Sequence, residues 1–346
     1  MFGKIPERKF FENISIQDSL LLKWSAETNG GQSCTSIVIY NNILFVSDLS
    51  GRIYAFDRTT GKLFGYEKYS GSIPVAPVVN DLRIFFIVND FNERTSTLNI
   101  FDFINGKVLY ESKIFGGVNS EMLKLKDGIV VLTTAGELIK FNLVNTREWS
   151  VPTKVTAKSS PASDGELILF GNEKGELIAV SAKDGSIKYR TKISDGIEGS
   201  ITIDEVNAYF GDNNGNIFSV KASDGKINWC INTNHKIIST PVYNENKIYI
   251  GNLAGEIFCL NKTDGKLIWK IQVNGVVNTT PLLFKNYLVQ PDLNRKVHFI
   301  NTQTGKIEKT IEYERRVKLS PVYYGGIIYM GADRGIINAY QTFSTN

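Results

Sequence analysis

The chain is poor in the residues that usually do chemistry: 346 residues hold two histidines and three cysteines. Cys34, Cys230 and Cys259 form no CxxC pair and have no histidine cluster beside them, which excludes a zinc site of ordinary spacing. Cys230 and Cys259 read as small buried fillers; a disulfide between them stays open in an oxidising compartment, and the odd count leaves at least one thiol free. His298 alternates with Val297 and Phe299 as a structural strand residue, while His235 falls in a connection after Trp229. There is no GxSxG elbow for a nucleophilic serine. No run approaches the roughly 18 apolar residues of a membrane helix. Charge of one sign is lacking too: 39 basic against 35 acidic residues leave a net +4, too mild and too scattered for a nucleic-acid partner. The start, MFGKIPERKFF, carries charges and no apolar segment of a secretory signal. Taken as a native start it places the protein in the cytoplasm. The alternative is a mature chain whose export signal or lipid-bearing cysteine has been removed.

What the chain has instead is repetition. The stretch ISTPVYNENKIYIGNLAGEIFCLNKTDGKLIWK, residues 238 to 270, alternates runs of Ile, Val, Tyr and Phe with Asp-Gly and Gly-rich turns. Tight hairpin turns need positive φ and strands favour β-branched and aromatic residues, so this is one four-stranded antiparallel unit. The glycine of its last turn recurs at Gly61, Gly106, Gly185, Gly225, Gly265 and Gly305, with Thr146 in the slot of a worn copy, giving steps of 45, 40, 39, 40, 40 and 40 residues. Short strands at a fixed period of this size predict a β-propeller. GDNNGN at 211–216 has the look of a phosphate cradle, but it recurs in the regular copies and leads into strands, so hairpin turns explain it.

The last copy, from Ser320-Pro321 to Tyr340, has three strands and lacks its fourth. Leu20 to Trp24 reads like Lys266 to Trp269 and supplies it. The expected fold is therefore all-β, an eight-bladed propeller of four-stranded antiparallel blades, its ring closed by an N-terminal strand that completes the last blade. Closure leaves no open edge to template aggregation. Residues 1–19 form a leader, expected to lie extended across the surface of the closing blade, and 20–346 a single propeller domain. Blade two carries the one sizeable insertion, five residues near Asn89 to Arg94, expected to lengthen a hairpin loop.

AFDRTTGK at 55–62, together with the recurring TP, GNxxGE and DGKxxW elements, resembles the pyrroloquinoline-quinone-like (PQQ-like) propeller repeat, whose docking motif runs Ala, any, Asp, any two, Thr, Gly, any three, Trp. The resemblance covers nearly everything after Leu20. The small first residue is kept at Ala55, Ala179, Cys259 and Ala339 and lost at Ile100, Lys140 and Phe299. The Asp survives at Asp57 and Asp102. The closing Trp survives at Trp229 and Trp269, is Tyr110 and Tyr189 in two blades, and is absent at Gly65 and Lys309. These aromatics read as inter-blade stacking.

One fold of this kind hosts several functions. A quinoprotein dehydrogenase is the first reading; the resemblance then implies PQQ over the ring's centre, calcium, an Asp base and an adjacent cysteine pair. No Cys-Cys occurs here, and no cluster of oxygens for a hard cation declares itself. The second is a non-enzymatic scaffold like the BamB-type propeller lipoproteins of outer-membrane protein assembly, which implies the periplasm or cell envelope, a lipid anchor in the precursor, a monomeric ring and barrel-assembly proteins as partners. The third is a ligand-sensing or adhesion propeller. The second is the expectation, with no catalytic, cofactor or metal residues assigned. Candidate partner-binding residues come from the irregular blades: Glu93 and Arg94 in blade two, Glu121 in blade three, Asp292 and Arg295 in blade seven, and Arg315 and Arg316 at the entry to blade eight. Glu121 stands out because Ser160, Ser200, Thr240, Thr280 and Ser320 fill its slot elsewhere, so its carboxylate is expected to face the channel or to bind something in it.

Overall fold

The computed structural model describes residues 1–345. The chain winds through eight antiparallel sheets, each built outward from the centre. In the most regular blade the strands are Val242–Tyr243, Lys247–Gly251, Glu256–Asn261 and Leu267–Gln272. The second and third strands are buried on both faces because neighbouring blades cover them; the fourth alternates outward and is largely exposed. Hydrophobic clusters accordingly form between blades: in blade four Phe170 and Ile178 pack against blade three, and Leu169 packs against blade five.

The ring closes as expected. The strand Ile16–Glu27 pairs antiparallel with Ile336–Ser344, with Leu22 opposite Tyr340 and Ala26 opposite Ile337, making a four-stranded last sheet with Ile327–Ala332 and Val317–Tyr324.

At five of the eight seams inter-blade stacking follows one rule. The aromatic residue of an outer strand lies flat on the turn glycine of the next blade: Trp24 on Gly61, Trp149 on Gly185, Tyr189 on Gly225, Trp229 on Gly265 and Trp269 on Gly305. The ring then donates to a backbone carbonyl three residues before that glycine, from Trp24 Nε1 to Arg58 O (3.1 Å), Trp229 Nε1 to Lys262 O (3.1 Å), Trp269 Nε1 to Thr302 O (3.2 Å) and Tyr189 Oη to Ala222 O (2.9 Å). Trp149 is an aromatic the motif comparison passed over, although it stands 40 residues before Tyr189. Its indole nitrogen has no partner, because Lys140 Nζ takes the Ala182 carbonyl (3.3 Å). The surviving motif Asp is a turn former. Asp57 Oδ1 accepts from the hydroxyls and amides of Thr59 and Thr60, and these bonds, the Thr59 hydroxyl first, hold the carboxyl at about 2.

Three expectations need correction. The insertion in blade two adds to strands more than to the loop: Arg83–Asn89 has 7 residues and Thr95–Asp102 has 8, against 5 and 6 in blade six. An added pair of residues on facing strands keeps backbone hydrogen bonds satisfied, which a longer loop would forfeit. Cys230 is exposed on an outer strand; Cys259 is the buried filler, its thiol pushed up to about 12 by burial and so inert. All three thiols are free.

The third correction concerns the leader. Only its last residues, from Ile16 on, lie on the closing blade; the rest does not. It enters the central channel from the side of the turns between first and second strands and corks it. Ser163 N–H donates to Pro6 O, Ile203 N–H to Glu7 O, Leu283 N–H to Phe10 O and Lys285 N–H to Ile14 O. Phe11–Glu12 adds a fifth, parallel strand inside blade seven, against Leu283 and Phe284. The innermost strands present unpaired backbone groups to the channel, and an extended segment satisfies them.

Candidate functional site

In each blade the chain leaves the second strand and the fourth strand at the same end, so the turns between second and third strands and the connections between blades share one face. Arg295 O accepting from Tyr313 N–H shows the two kinds of loop packed together. Of the candidate residues, Glu93, Arg94, Arg295, Arg315 and Arg316 all lie on this face and are exposed. The leader corks the opposite mouth, so this is the open end of the channel.

Blades seven and eight form a basin of about 700 Å³ on that face, lined by Arg295, Arg315, Arg316, Lys318 and Arg334 with only Glu314 and Asp333 as carboxylates. Asp333 is engaged by Arg316 Nε at 3.1 Å and by Lys318 Nζ at 2.8 Å. Arg295, Arg315 and Arg334 make no ion pair among the described residues, leaving three guanidinium groups facing solvent together. Their placement follows from the fold. Arg295 takes the turn position that glycine holds in blades four, five and six, and it keeps the left-handed backbone of those glycines, φ 66° against 85° at Gly255. A non-glycine residue there carries a strain of about 1 kcal/mol. Such strain persists where the surroundings hold it, commonly at functional positions. Arg315 and Arg316 sit in the connection that leads into blade eight. Lys318 and Arg334 were not among the sequence candidates; the signal for Arg334 was its place beside the turn glycine Gly335 one repeat after Arg295.

Asp292 belongs elsewhere. It is buried beneath the turn, with Oδ1 accepting from Lys296 N–H (3.1 Å) and Oδ2 bonded to His298 Nε2 (3.0 Å). The other ring nitrogen of His298 meets Thr310 Oγ1 at 3.1 Å, so this histidine is satisfied internally. Glu93, though exposed, is engaged: its Oε2 accepts from Asn119 Nδ2 (2.9 Å) at the channel mouth.

Glu121 stands deep in the channel and is buried. The small residues of the other copies link blade to blade through their hydroxyls, as Thr280 Oγ1 does to Thr240 Oγ1 (2.8 Å). Glu121 reaches across two blades: Oε1 accepts from the Thr35 hydroxyl and Oε2 from Ala76 N–H (2.9 Å). What meets it in the channel is the chain's own leader. Arg8 is fully buried, with Nε donating to Pro161 O (2.6 Å), Nη1 to Phe2 O (3.2 Å) and Nη2 to Glu121 O (2.9 Å). Burial pushes the Glu121 carboxyl up and draws the Arg8 guanidinium down to about 10. Above this floor remains a vestibule of about 240 Å³, lined by Phe2, Glu121 and the small polar residues Ser160, Ser200, Thr240 and Thr280.

The donor set does not suit PQQ with calcium. A hard cation needs several convergent oxygens. Among the described residues no three acidic, histidine or cysteine side chains gather to hold one, and both oxygens of the one channel carboxylate are already engaged. The residues present do not fit that group.

Comparison with known proteins places the chain among others of its kind. A sequence profile described as outer membrane protein assembly factor BamB matches residues 22–230 and 213–343. No curated protein matches it. Among solved structures, BamB from Moraxella catarrhalis superposes with a TM-score of 0.79 at 15% identity, over 93% of this chain and 100% of that one. The computationally designed Ika8 protein gives 0.77 at 14% identity, over 91% and 98%. The quinohemoprotein alcohol dehydrogenase from Comamonas testosteroni gives 0.82 at 11% identity, over 98% and 80%. At such identities these likenesses establish the fold, and the enzyme and the assembly factor share it equally. The profile, spanning almost the whole ring, is what decides kinship: the chain belongs to the family of the outer membrane protein assembly factor BamB.

Proposed function

We propose that the protein is a non-enzymatic binding platform of the cell envelope, working in outer-membrane protein assembly, and that it holds an acidic surface of a barrel-assembly partner on the face shared by the inter-blade connections. The observation that carries this reading is the basin of blades seven and eight, where three unpaired arginines converge at the open end of a channel corked at the other. Arginine is favoured at interface hot spots, and a basic rim speeds and orients encounter with an acidic partner. The alternative, a PQQ-dependent oxidoreductase, has the shared fold in its favour and the donor set against it. Family membership supports a periplasmic or envelope location.

The test is cross-linked affinity purification from the native cells, read by mass spectrometry, beside a variant carrying Arg295→Glu and Arg315→Glu. Recovery of a barrel-assembly subunit with the native protein alone is the expected result. Recovery of no envelope protein sinks the proposal, and heat released on titrating PQQ with calcium would replace it.

A further inference from the structure

Seven seams join the eight blades to their successors, and an eighth closes the ring; the seam between blades one and two, like that after blade seven where Lys309 stands, lacks the stacked ring. Gly65 stands where Trp24, Trp149, Tyr189, Trp229 and Trp269 stand in other outer strands: it pairs across to Ala55 as Trp229 does to Ser219 and Trp269 to Cys259. The turn glycine of blade two, Gly106, keeps the left-handed backbone of its counterparts, φ 62°. A methyl group added to any of those counterparts would strike the aromatic ring above it, whereas one added to Gly106 would meet open space. The carbonyl that accepts the ring's N–H elsewhere is here that of Phe103, and among the described residues nothing donates to it. The result is a slot of about 190 Å³ walled by Phe45, Tyr54, Tyr66, Phe101 and Phe103. Its exposed rim is mostly apolar, with Phe64 57% exposed and Tyr66 48%, and carries one carboxylate, Glu67. Apolar surface left contiguous in this way marks a contact site more often than a bare face.

We infer that this slot receives the side chain of an exposed tryptophan on a partner protein, seated on Gly106 with its indole N–H donating to the Phe103 carbonyl. The occupant is specified by the chain itself, since the same socket is repeated around the ring and filled four times by an indole. A second copy of this chain cannot supply it: Trp24, Trp149, Trp229 and Trp269 are all the tryptophans there are, and each is already stacked in its own seam. The rim favours a protein surface over a free aromatic metabolite, because Phe64 and Tyr66 would be covered only by something larger than the ring. This inference stands on a different part of the ring from the basic basin and holds or falls apart from it.

The test uses the peptide Gly-Gly-Trp-Gly-Gly carrying 5-fluorotryptophan, with the full chain, read by fluorine NMR. Millimolar peptide is expected to shift and broaden with the native protein. Gly65→Trp supplies the missing ring from within and is expected to weaken that binding at least tenfold while raising the melting temperature. Gly65→Leu, which half fills the slot, is the second variant should Gly65→Trp fold poorly, and it is expected to weaken binding as well. Free 5-fluoroindole binding more tightly than the peptide would assign the slot to a small aromatic ligand and overturn the docking proposal. No binding to the native protein, or equal binding to the native protein and the folded variants, overturns it outright.

Discussion

Replacing Arg8 by Met keeps the bulk of the side chain and removes its charge and every hydrogen bond of the guanidinium. Four backbone carbonyls, of Phe2, Glu121, Met122 and Pro161, lose their donor, and the buried Glu121 loses the cation beside it. Breaking a buried charged contact on one side costs about 3–5 kcal/mol. That cost falls on the leader, because the eight sheets are hydrogen-bonded without it. The molecule can escape by letting the leader out of the channel, and every 1.4 kcal/mol raises the released fraction about tenfold. A rise of about 10² to 10⁴ in that fraction is therefore expected. Native-state hydrogen exchange reads it directly. The amides of Ser163, Ile203, Leu283 and Lys285 are protected by leader carbonyls and should lose protection by that factor, while Asn252 N–H, bonded to Glu256 O inside blade six, should not change. Unchanged protection at the four amides, or an equal loss at Asn252, would refute the picture of a separately anchored cork.

Three further outcomes follow from the same geometry. Burial raises the folded-state pKa of Glu121 above 4.5; below 4.5 it is neutral folded and unfolded, and above it the unfolded chain ionises first, so stability falls as pH rises until the folded carboxyl also ionises. Glu121→Gln should remove that slope from urea midpoints measured between pH 4 and 7, and an identical slope in both proteins would count against it. Arg295→Gly relieves a left-handed backbone and should stabilise by about 1 kcal/mol in urea unfolding while lowering recovery of the partner; a destabilised variant would mean the arginine packs in some stabilising way. Lys140→Ala restores the small residue of the motif, frees the Ala182 carbonyl for Trp149, and leaves Asp127 and Glu148 solvated, at 65% and 35% exposure, so the change should lie within about 1 kcal/mol of neutral by thermal unfolding. A loss near 3 kcal/mol would show that the lysine pairs hold the blade.

The ring was legible because its information is local and repeated. Each Asp-Gly turn fixes a hairpin, each alternating run fixes a buried face, and the fourth-strand likeness of Leu20 to Trp24 announces how the circle closes. The leader was not legible for the opposite reason. Its strand is two residues long, its partners lie about 110 to 270 positions away, and most of them are backbone carbonyls and amides that no side-chain pattern advertises. Glu121 was visible as an exception in a column of small hydroxyl residues, but the sequence could not say that the thing it would meet was Arg8. Arg295, Arg315 and Arg316 were picked as irregularities, and only the packing of a turn against the next connection brings them together and sets Asp292 beneath them. Gly65 was seen as a lost aromatic; that the loss leaves an open socket depends on blade two not collapsing into it.

The clasp that joins Leu22 to Tyr340 also imposes a schedule on biosynthesis. The strand Ile16–Glu27 leaves the ribosome before every complete blade and its partner after all of them, so Leu21, Leu22 and Trp24 stay without a mate while the seven blades between are made. Seven blades can form in order as they emerge, but the eighth waits, and the cork has no channel to enter until the ring exists. Such long-range pairing is slow and leaves apolar strand edge uncovered meanwhile. A protein built this way asks for shelter for that strand until its two ends meet.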